Sequence, residues 1–254
     1  MRSAIFTGLK RSTCVSLSHM IEQREDILSA LVDDKNRYES ADLVHICEEG
    51  GISVGDCSEC DRLFEENEGI IEVIWCNNFL EFTREEWSCA ASVAAVSFHL
   101  APLPRYRRVF AFNFATPNGD HDYGVMARLL GKKFDQGDNV EVGRFPYYCG
   151  EGSVEELVTL SEEKKCELFK GVYGRCRSSK SVLATPQEPD GRRCFNRSDF
   201  EEVKRIVPGE DSAMTERRIR AFWYPSCERA YADASGLRFA VVSKEVFDAL
   251  GARH

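Results

Sequence analysis

The stretch Arg107–Asp120, RRVFAFNFATPNGD, is the part of the sequence from which we predict the fold. Phe110, Phe112 and Phe114 occupy every second position between a group of arginines and a Pro-Asn-Gly turn. Side chains alternate between the two faces of a β-strand, so this spacing predicts a strand with phenylalanine along one face. That face is either part of a core or an open platform for flat ligands such as RNA bases.

The composition limits the classes of protein to consider. The chain has 254 residues, 43% of them hydrophobic, which is enough for one large domain or two small ones. Its formal net charge of −9 argues against a general nucleic-acid coat protein. Basic residues nevertheless gather at Arg105–Arg108 and between Arg175 and Arg220, so a local basic patch for RNA is still expected. No run of about 18 apolar residues occurs, and no membrane partner is predicted.

The cysteines and the first residues bear on the compartment. The 11 cysteines form no small-domain framework and no continuous apolar secretory segment occurs, which predicts reduced thiols in the nucleus or cytoplasm. Residues 1–20 contain Arg2, Lys10 and Arg11, several Ser and Thr, and no acid. Mitochondrial presequences have this composition, so we predict a targeting or disordered segment there, with the mitochondrion as the alternative compartment.

The segments around the phenylalanines give a sequence of elements. GIIEVIWCNNF is typical of a strand, Thr83 and Glu86 form a capping box at a helix start, and Val96–Leu100 is predicted as a second strand. The phenylalanine strand, a helix over 120–130 and the strand NVEVGRF follow, giving the order β-α-β-β-α-β. The predicted organisation is therefore an acidic α/β region over 21–69, one domain over 70–148 and a C-terminal α+β region over 149–254, where Ser153 and Glu156 form another capping box.

Four pieces of this domain resemble the RNA-recognition motif, or RRM, family. Arg108–Ala115 is similar to the family's octamer, with the basic first position and both aromatic positions retained. Ile74–Phe79 resembles its shorter strand motif, TREEW its first helix start, and LLGKKFDQGDNVEV its last segment. The resemblance implies an α+β fold: a ferredoxin-like, RRM-like domain with flanking, mainly helical regions.

The resemblance also implies a function. Aromatic side chains on the open face of such a sheet stack under single-stranded RNA bases, and nearby arginines meet phosphates. We therefore expect a non-enzymatic RNA-binding protein of RNA processing or of a ribonucleoprotein, without a cofactor. The acidic N-terminal and the C-terminal regions are expected to contact other proteins. The implied RNA-binding residues are Trp75, Phe110, Phe112, Arg105, Tyr106, Arg107 and Arg108.

Three alternatives remain open. The phenylalanine face is core or covered by another segment, which predicts a structural or protein-interaction subunit of a larger assembly. His45, Cys47, Cys57 and Cys60 have the donor types for tetrahedral zinc, although buried free thiols are the favoured explanation. Cys89 follows a predicted helix start, and a cysteine hydrolase would need a histidine within hydrogen-bond reach of it.

Overall fold

The computed structural model describes residues 1–7, 11–32, 41–77, 89–103, 105–106, 111–131, 137–148, 151–187, 195–224, 228–244 and 247–248. The chain divides into two compact units that alternate along the sequence. Unit 1 contains Met1–Pro104, Val125–Gly143 and Glu162–Asp190. Unit 2 contains Arg105–Gly124, Arg144–Ser161 and Gly191–His254.

A seven-stranded sheet is the main element of the fold, with the strand order β3-β2-β1-β4-β5-β6-β7. Strands β1 to β5 pair in parallel, and β6 is antiparallel to β5. The strands are β1 Arg2–Thr7, β2 Asp26–Val32, β3 Val54–Asp56, β4 Val73–Asn77, β5 Ala94–His99, β6 Asp122–Leu129 and β7 Asn139–Pro146. The helices among the described residues are α1 Arg11–Glu22, α2 Ala41–Gly50, α3 Cys60–Glu66, α4 Ala111–Asn118, α5 Val154–Ser179, α6 Arg197–Lys204 and α7 Ser212–Ala221.

The predicted fold class is wrong. Residues 70–148 supply β4 to β7 of this larger sheet and do not form a separate ferredoxin-like, RRM-like domain. All five side chains of β4 are buried, as expected for a parallel strand that is covered on both faces. Strand β1 (Arg2–Thr7), within the segment predicted as targeting or disordered, pairs with both β2 and β4 in the middle of the sheet.

The phenylalanine stretch is a helix where the sequence predicts a strand. Helix α4 buries Ala111, Phe114 and Ala115, which follow the i, i+3, i+4 spacing of one helix face. Phe112 and Phe114 therefore do not lie on a common strand face. Arg107, Arg108 and Phe110 lie outside the described residues, as does the predicted helix start at Thr83–Glu86.

Helix α5 covers one face of the sheet in unit 1. The Phe169 ring lies 5.6 Å from the Trp75 ring and 5.2 Å from the Phe98 ring, measured between centroids. Tyr173 packs on the same group, 5.8 Å from Trp75. These contacts bury β4 and β5 on this face. The capping box at the start of α5 is confirmed, because the Glu156 N–H donates to Ser153 Oγ and the Ser153 N–H donates to the Glu156 carboxylate.

Unit 2 contains helices α4, α6 and α7 and a hairpin of β8 Tyr231–Ala234 with β9 Leu237–Ala240. Ile219, Ala221, Phe222 and Ala230 form its buried apolar cluster. Asn113 Nδ2 of α4 donates to the carbonyl oxygen of Ala221 at the end of α7, 2.6 Å away. Within the part of the chain that the structure describes, no helix is long and apolar enough to cross a membrane.

Candidate functional site

The sheet has its topological switch point between β1 and β4. Strands β2 and β3 lie on one side of β1, while β4 and β5 lie on the other. Ligands of such sheets bind at the carboxyl ends of the strands beside this point. Strand β4 ends at Asn77 and β5 ends at His99. We therefore call these two residues and the first turn of α1 the carboxyl-edge site.

Asn77 ties the end of β4 to the first turn of α1. Its side chain is fully buried, and its Nδ2 donates to Ser16 Oγ at 2.9 Å. Thr13 Oγ1 donates to the Asn77 carbonyl oxygen at 3.4 Å, and Ser16 Oγ donates to the Ser12 carbonyl oxygen at 2.7 Å. These small hydroxyl side chains let the helix approach the strand end closely while the buried amide nitrogen keeps polar partners.

A carboxylate already occupies the N-terminus of α1. Glu162 Oε2 of α5 accepts from the Ser12 N–H at 3.0 Å, and both residues are buried. An anion is favourable at a helix N-terminus, where N–H groups lack intrahelical partners. The contact therefore fixes α1 against α5 beside the carboxyl edge.

His99 is the last residue of β5 and is half-buried. It lies opposite Met126 of β6, and Ser97, two residues earlier on the same strand face, lies opposite Arg128. The Leu103 N–H donates to Met126 Sδ at 3.3 Å, which folds the segment after β5 back onto β6. Imidazole is the side chain best suited to accepting and donating a proton near neutral pH. His99 thus places an acid–base group at the carboxyl edge.

Unit 2 has its own polar group, which we call the Asp120 cluster: Arg105, Tyr106, Asn118, Asp120 and Asp122. The Arg105 guanidinium lies 2.7 Å from Asp120 Oδ1 and 3.1 Å from Asp122 Oδ1. The Tyr106 hydroxyl donates to Asp120 Oδ2 and accepts from Asn118 Nδ2 at 3.2 Å. The cluster is therefore an internally paired network of one cation, two carboxylates and two neutral groups.

Burial and pairing set the protonation of this cluster. Burial raises the pKa of the Tyr106 phenol, which keeps it a neutral donor to Asp120. Burial alone would raise the pKa of Asp122, but hydrogen bonds from Arg105 and Arg144 outweigh it and hold that pKa below its ordinary value. Asp120 and Asp122 thus both face a positive charge or a hydrogen-bond donor.

The structure does not assemble the predicted RNA platform. Trp75 and Tyr106 are fully buried, and Phe112 lies on α4 with its ring 5.5 Å from that of Tyr123. Arg105, the remaining described residue of the set, is occupied by Asp120 and Asp122. The platform does not form because Trp75 and Tyr106 are buried in cores and because Asp120 and Asp122 neutralise Arg105.

The other predicted residues are spread over α2, the start of α3 and the segment before β5. His45 is exposed on α2 beside Glu49, Cys47 and Cys60 are buried on α2 and α3, and the Cys57 side chain is outside those described. Burial raises the pKa of Cys47 to about 11, so its thiol is protonated at neutral pH. Among the described residues, no group of three or more His, Cys, Asp or Glu side chains could hold a metal ion. Cys89 is an exposed free thiol.

Asn77 and His99 are not among the site residues predicted from the sequence. The signal was present: each follows a short run of apolar residues, VIWC before Asn77 and AAVSF before His99. A buried parallel strand that ends in a polar side chain places that side chain where α/β proteins bind ligands.

Comparison with known proteins gives relatives of a single activity. No protein-family model matches the chain. Methionyl-tRNA formyltransferase of Limosilactobacillus fermentum is 26% identical over 159 residues, covering 58% of this chain and 49% of the relative. The Lacticaseibacillus casei enzyme is 25% identical over 202 residues, which cover 75% of this chain and 62% of the relative. The Latilactobacillus sakei enzyme is 37% identical over 99 residues, which cover 39% of this chain and 30% of the relative. The chain thus spans about half or less of the length of the first relatives that it matches.

Solved structures show that the fold is that of formyltransferases. A 4-N formyltransferase from Francisella tularensis has a TM-score of 0.77 at 13% identity, with 95% of this chain and 96% of that chain covered. An N-formyltransferase from Helicobacter canadensis, in complex with folinic acid and dTDP-3-aminofucose, has a TM-score of 0.76 at 17% identity, with 93% and 85% covered. A sugar N-formyltransferase from a Shewanella species has a TM-score of 0.75 at 12% identity, with 96% and 97% covered.

These findings overturn the functional expectation. The RRM resemblance is wrong, because the matching proteins are formyltransferases and the sheet is mostly parallel. The expected non-enzymatic factor that binds single-stranded RNA, and its alternative as a structural subunit, are wrong for the same reason: the relatives are named enzymes. The compartment stays a prediction.

Proposed function

We propose that the protein is an N-formyltransferase that moves a formyl group from a reduced-folate donor to a primary amine. The position of His99 at the carboxyl edge of a formyltransferase-like sheet is the observation that carries the proposal. The donor class follows from the Helicobacter canadensis enzyme, whose complex contains folinic acid, and from a sugar 3N-formyl transferase studied with 5-N-formyl-THF.

The reaction requires one proton to move between two nitrogens. The acceptor amine attacks the formyl carbon, a carbon–nitrogen bond forms, and the carbonyl π electrons move to the oxygen. When that oxyanion collapses, the bond from carbon to the donor nitrogen breaks and this nitrogen takes a proton. A positioned imidazole that accepts the amine proton and returns it to the leaving nitrogen lowers both barriers.

In the proposal, His99 carries this proton. The imidazole lies at the end of β5. His99 pairs with Met126 of β6, which fixes the backbone that carries the imidazole on a rigid strand. Asn77 is a positioning residue, since its buried amide holds the first two turns of α1 against the end of β4. The internally paired Asp120 cluster has a structural role within unit 2.

We further propose an amino-sugar nucleotide as the acceptor. The structural match extends over 96% of this chain and 97% of the Shewanella sugar N-formyltransferase. A net charge of −9 disfavours close approach of a polyanion such as tRNA. Methionyl-tRNA is the second candidate acceptor. The sequence relatives favour it, because the three compared above are named methionyl-tRNA formyltransferases.

The test is a formyl-transfer assay with two acceptor classes. The protein is incubated with formyl-tetrahydrofolate and either dTDP-amino sugars or methionyl-tRNA, and mass spectrometry of the acceptor detects the added formyl group. Formylation of the amino sugar and not of the tRNA supports the proposal. Formylation of methionyl-tRNA alone would support formyl transfer but contradict the amino-sugar nucleotide as the acceptor. No transfer to either class would contradict the proposed function.

A further inference from the structure

A row of three side chains crosses the sheet of unit 1 next to His99. Cys76 of β4 lies opposite Ser97 of β5, and Ser97 lies opposite Arg128 of β6, so the three side chains share one face of the sheet. Ser97 and Arg128 are both buried. Arginine is among the residues least often found inside a protein, because burial of its charge is costly. Arg128 is therefore a candidate for a functional role.

His99 belongs to the same face and lies one residue pair nearer the carboxyl end of β5. It is opposite Met126, which makes Arg128 its diagonal neighbour on β6. Diagonal neighbours in an antiparallel pair are about 7–8 Å apart, a distance that a long side chain can span. The guanidinium and the imidazole therefore extend from the same face of two paired strands and can contact one small group together.

The polarity of this face changes along the strands. Ile74 and Ala95 form the pair before the row, and both belong to a buried apolar cluster that includes residues of α3. The opposite face stays apolar near its end, where Phe98 pairs with Ala127 and both are buried. The guanidinium of Arg128 thus lies at the boundary between the apolar cluster and the carboxyl-edge site.

We propose that Arg128 is a further catalytic residue whose guanidinium donates a hydrogen bond to the formyl oxygen in the transition state, an inference that rests on the proposed function. Attack by the amine moves the carbonyl π electrons to this oxygen, and the guanidinium stabilises the negative charge that develops there. The stabilisation is strong in a buried position, since little water screens the charge.

Arg128 and His99 have separate tasks in this reaction. When the oxyanion collapses, its electron pair restores the carbonyl bond and the bond from carbon to the donor nitrogen breaks. His99 moves the proton from the amine to the donor nitrogen. The guanidinium keeps all its protons throughout, because arginine does not act as an acid in proteins.

The experiment compares single-turnover formyl transfer with folate binding in variants of Arg128. Arg128→Gln removes the charge, Arg128→Lys keeps a charge without the planar fork, and Arg128→Ala leaves space for an added guanidinium ion. Arg62→Gln is the matched control, since it removes an exposed arginine of unit 1 on α3. Isothermal titration calorimetry with folinic acid measures binding, and thermal melts show that each variant is folded.

The expected effect is on the rate and not on binding. We expect Arg128→Gln to lower the transfer rate by about 10²–10³-fold and to keep the affinity for folinic acid within about threefold, because the lost bond forms only in the transition state. Arg128→Lys should keep part of the rate. Added guanidinium should restore part of the rate of Arg128→Ala but none of that of His99→Gln. Arg62→Gln should have the wild-type rate.

Three results would overturn the inference. These are transfer by a folded Arg128→Gln at the wild-type rate, an equal fall in Arg62→Gln, or a fall in a folded Arg128→Ala that added guanidinium does not reverse. Should Arg128→Gln fail to fold, Arg128→Lys decides the question. A lowered rate with folinic acid affinity retained supports the inference, and the wild-type rate overturns it.

The proposed function can fail separately. Binding of [13C]formate, a planar anion whose oxygens match the guanidinium fork, is followed by NMR on the same variants. Formate binding that is lost in Arg128→Gln, without formyl transfer by the wild type, supports Arg128 as the oxygen-binding group and contradicts the formyltransferase proposal. Transfer at the wild-type rate in Arg128→Gln supports the enzyme and contradicts the role of Arg128. Absence of both transfer and formate binding in the wild type overturns both.

Discussion

The indole ring of Trp75 packs edge-on against the phenyl ring of Phe169, with 5.6 Å between the ring centroids. The contact joins the central strand β4 to helix α5 and leaves Trp75 without solvent exposure. An aromatic residue that the sequence places on an open ligand platform is therefore a core residue. Its position explains why the sheet face beneath α5 has no room for a base.

Replacing this indole should destabilise unit 1. We expect Trp75→Ala to lower the free energy of unfolding by about 3–5 kcal/mol, since it removes a large buried side chain and leaves a cavity. Urea denaturation measures the change. Leu183→Ala, at a side chain that is 87% exposed, is the control and should change stability by no more than about 0.5 kcal/mol. Equal small losses in both variants would contradict the packing.

The bond between Asn77 and Ser16 should show as a coupling energy. Asn77→Ala leaves Ser16 Oγ without its buried donor, so we expect a loss of about 1–3 kcal/mol in the free energy of unfolding. Ser16→Ala should cost less in the Asn77→Ala background than in the wild type, because the shared bond is already absent. Strictly additive losses in this double-mutant cycle would argue against the bond.

The Asp122 carboxylate should contribute to acid sensitivity. Its pKa is lowered in the folded state because the hydrogen bonds from Arg105 and Arg144 outweigh the effect of burial. A group with a lowered folded-state pKa stabilises the fold above its unfolded-state pKa, and this contribution disappears as the pH falls through the folded-state value. Asp122→Asn should therefore be less stable than the wild type above about pH 4 and equally stable in stronger acid. Thermal melts across this range measure the difference, and a difference that grows towards acid would contradict the sign.

Gly119 should resist substitution because of its backbone conformation. Gly119→Ala imposes a positive φ on an alanine, which costs about 1–2 kcal/mol, while its Cβ atom would make only an ordinary van der Waals contact with Arg217. Arg217→Ala in the same chain should therefore not restore the lost stability. Gly174→Ala is the control, since nothing lies within 4 Å of its Cβ position inside α5. It should stabilise the protein by about 0.5–1 kcal/mol.

Local pattern predicted several elements of the fold. The strands at GIIEVIWCNNF and NVEVGRF correspond to β4 and β7, the strand predicted at Val96–Leu100 to β5, and the capping box at Ser153 opens α5. Each depends on residues near one another in the sequence: β-branched and aromatic runs, or a side chain that bonds to an N–H three residues later.

The sheet topology depends on contacts that local pattern does not contain. Strand β1 at Arg2–Thr7 pairs in parallel with β4 at Val73–Asn77, and nothing within either segment specifies the other as its partner. Phe110, Phe112 and Phe114 fit a period of two and so predict a strand, while the buried Ala111, Phe114 and Ala115 of helix α4 fit one helix face. The apolar run before His99 indicates a strand end, but only the strand order shows that β5 ends next to β4 and the switch point.

Formyl transfer by a His99 variant tests the central claim most directly. The protein is given an isotope-labelled formyl-tetrahydrofolate and the acceptor found active, and the label on the acceptor amine is followed in a single turnover. We expect His99→Gln to lower the rate by about 10²–10⁴-fold with folate binding retained, because the proton transfer is lost while the fold remains. Cys89→Ser, at an exposed thiol, should leave the rate unchanged. Transfer by His99→Gln at the wild-type rate, or no transfer by the wild type to any amine, would contradict the account.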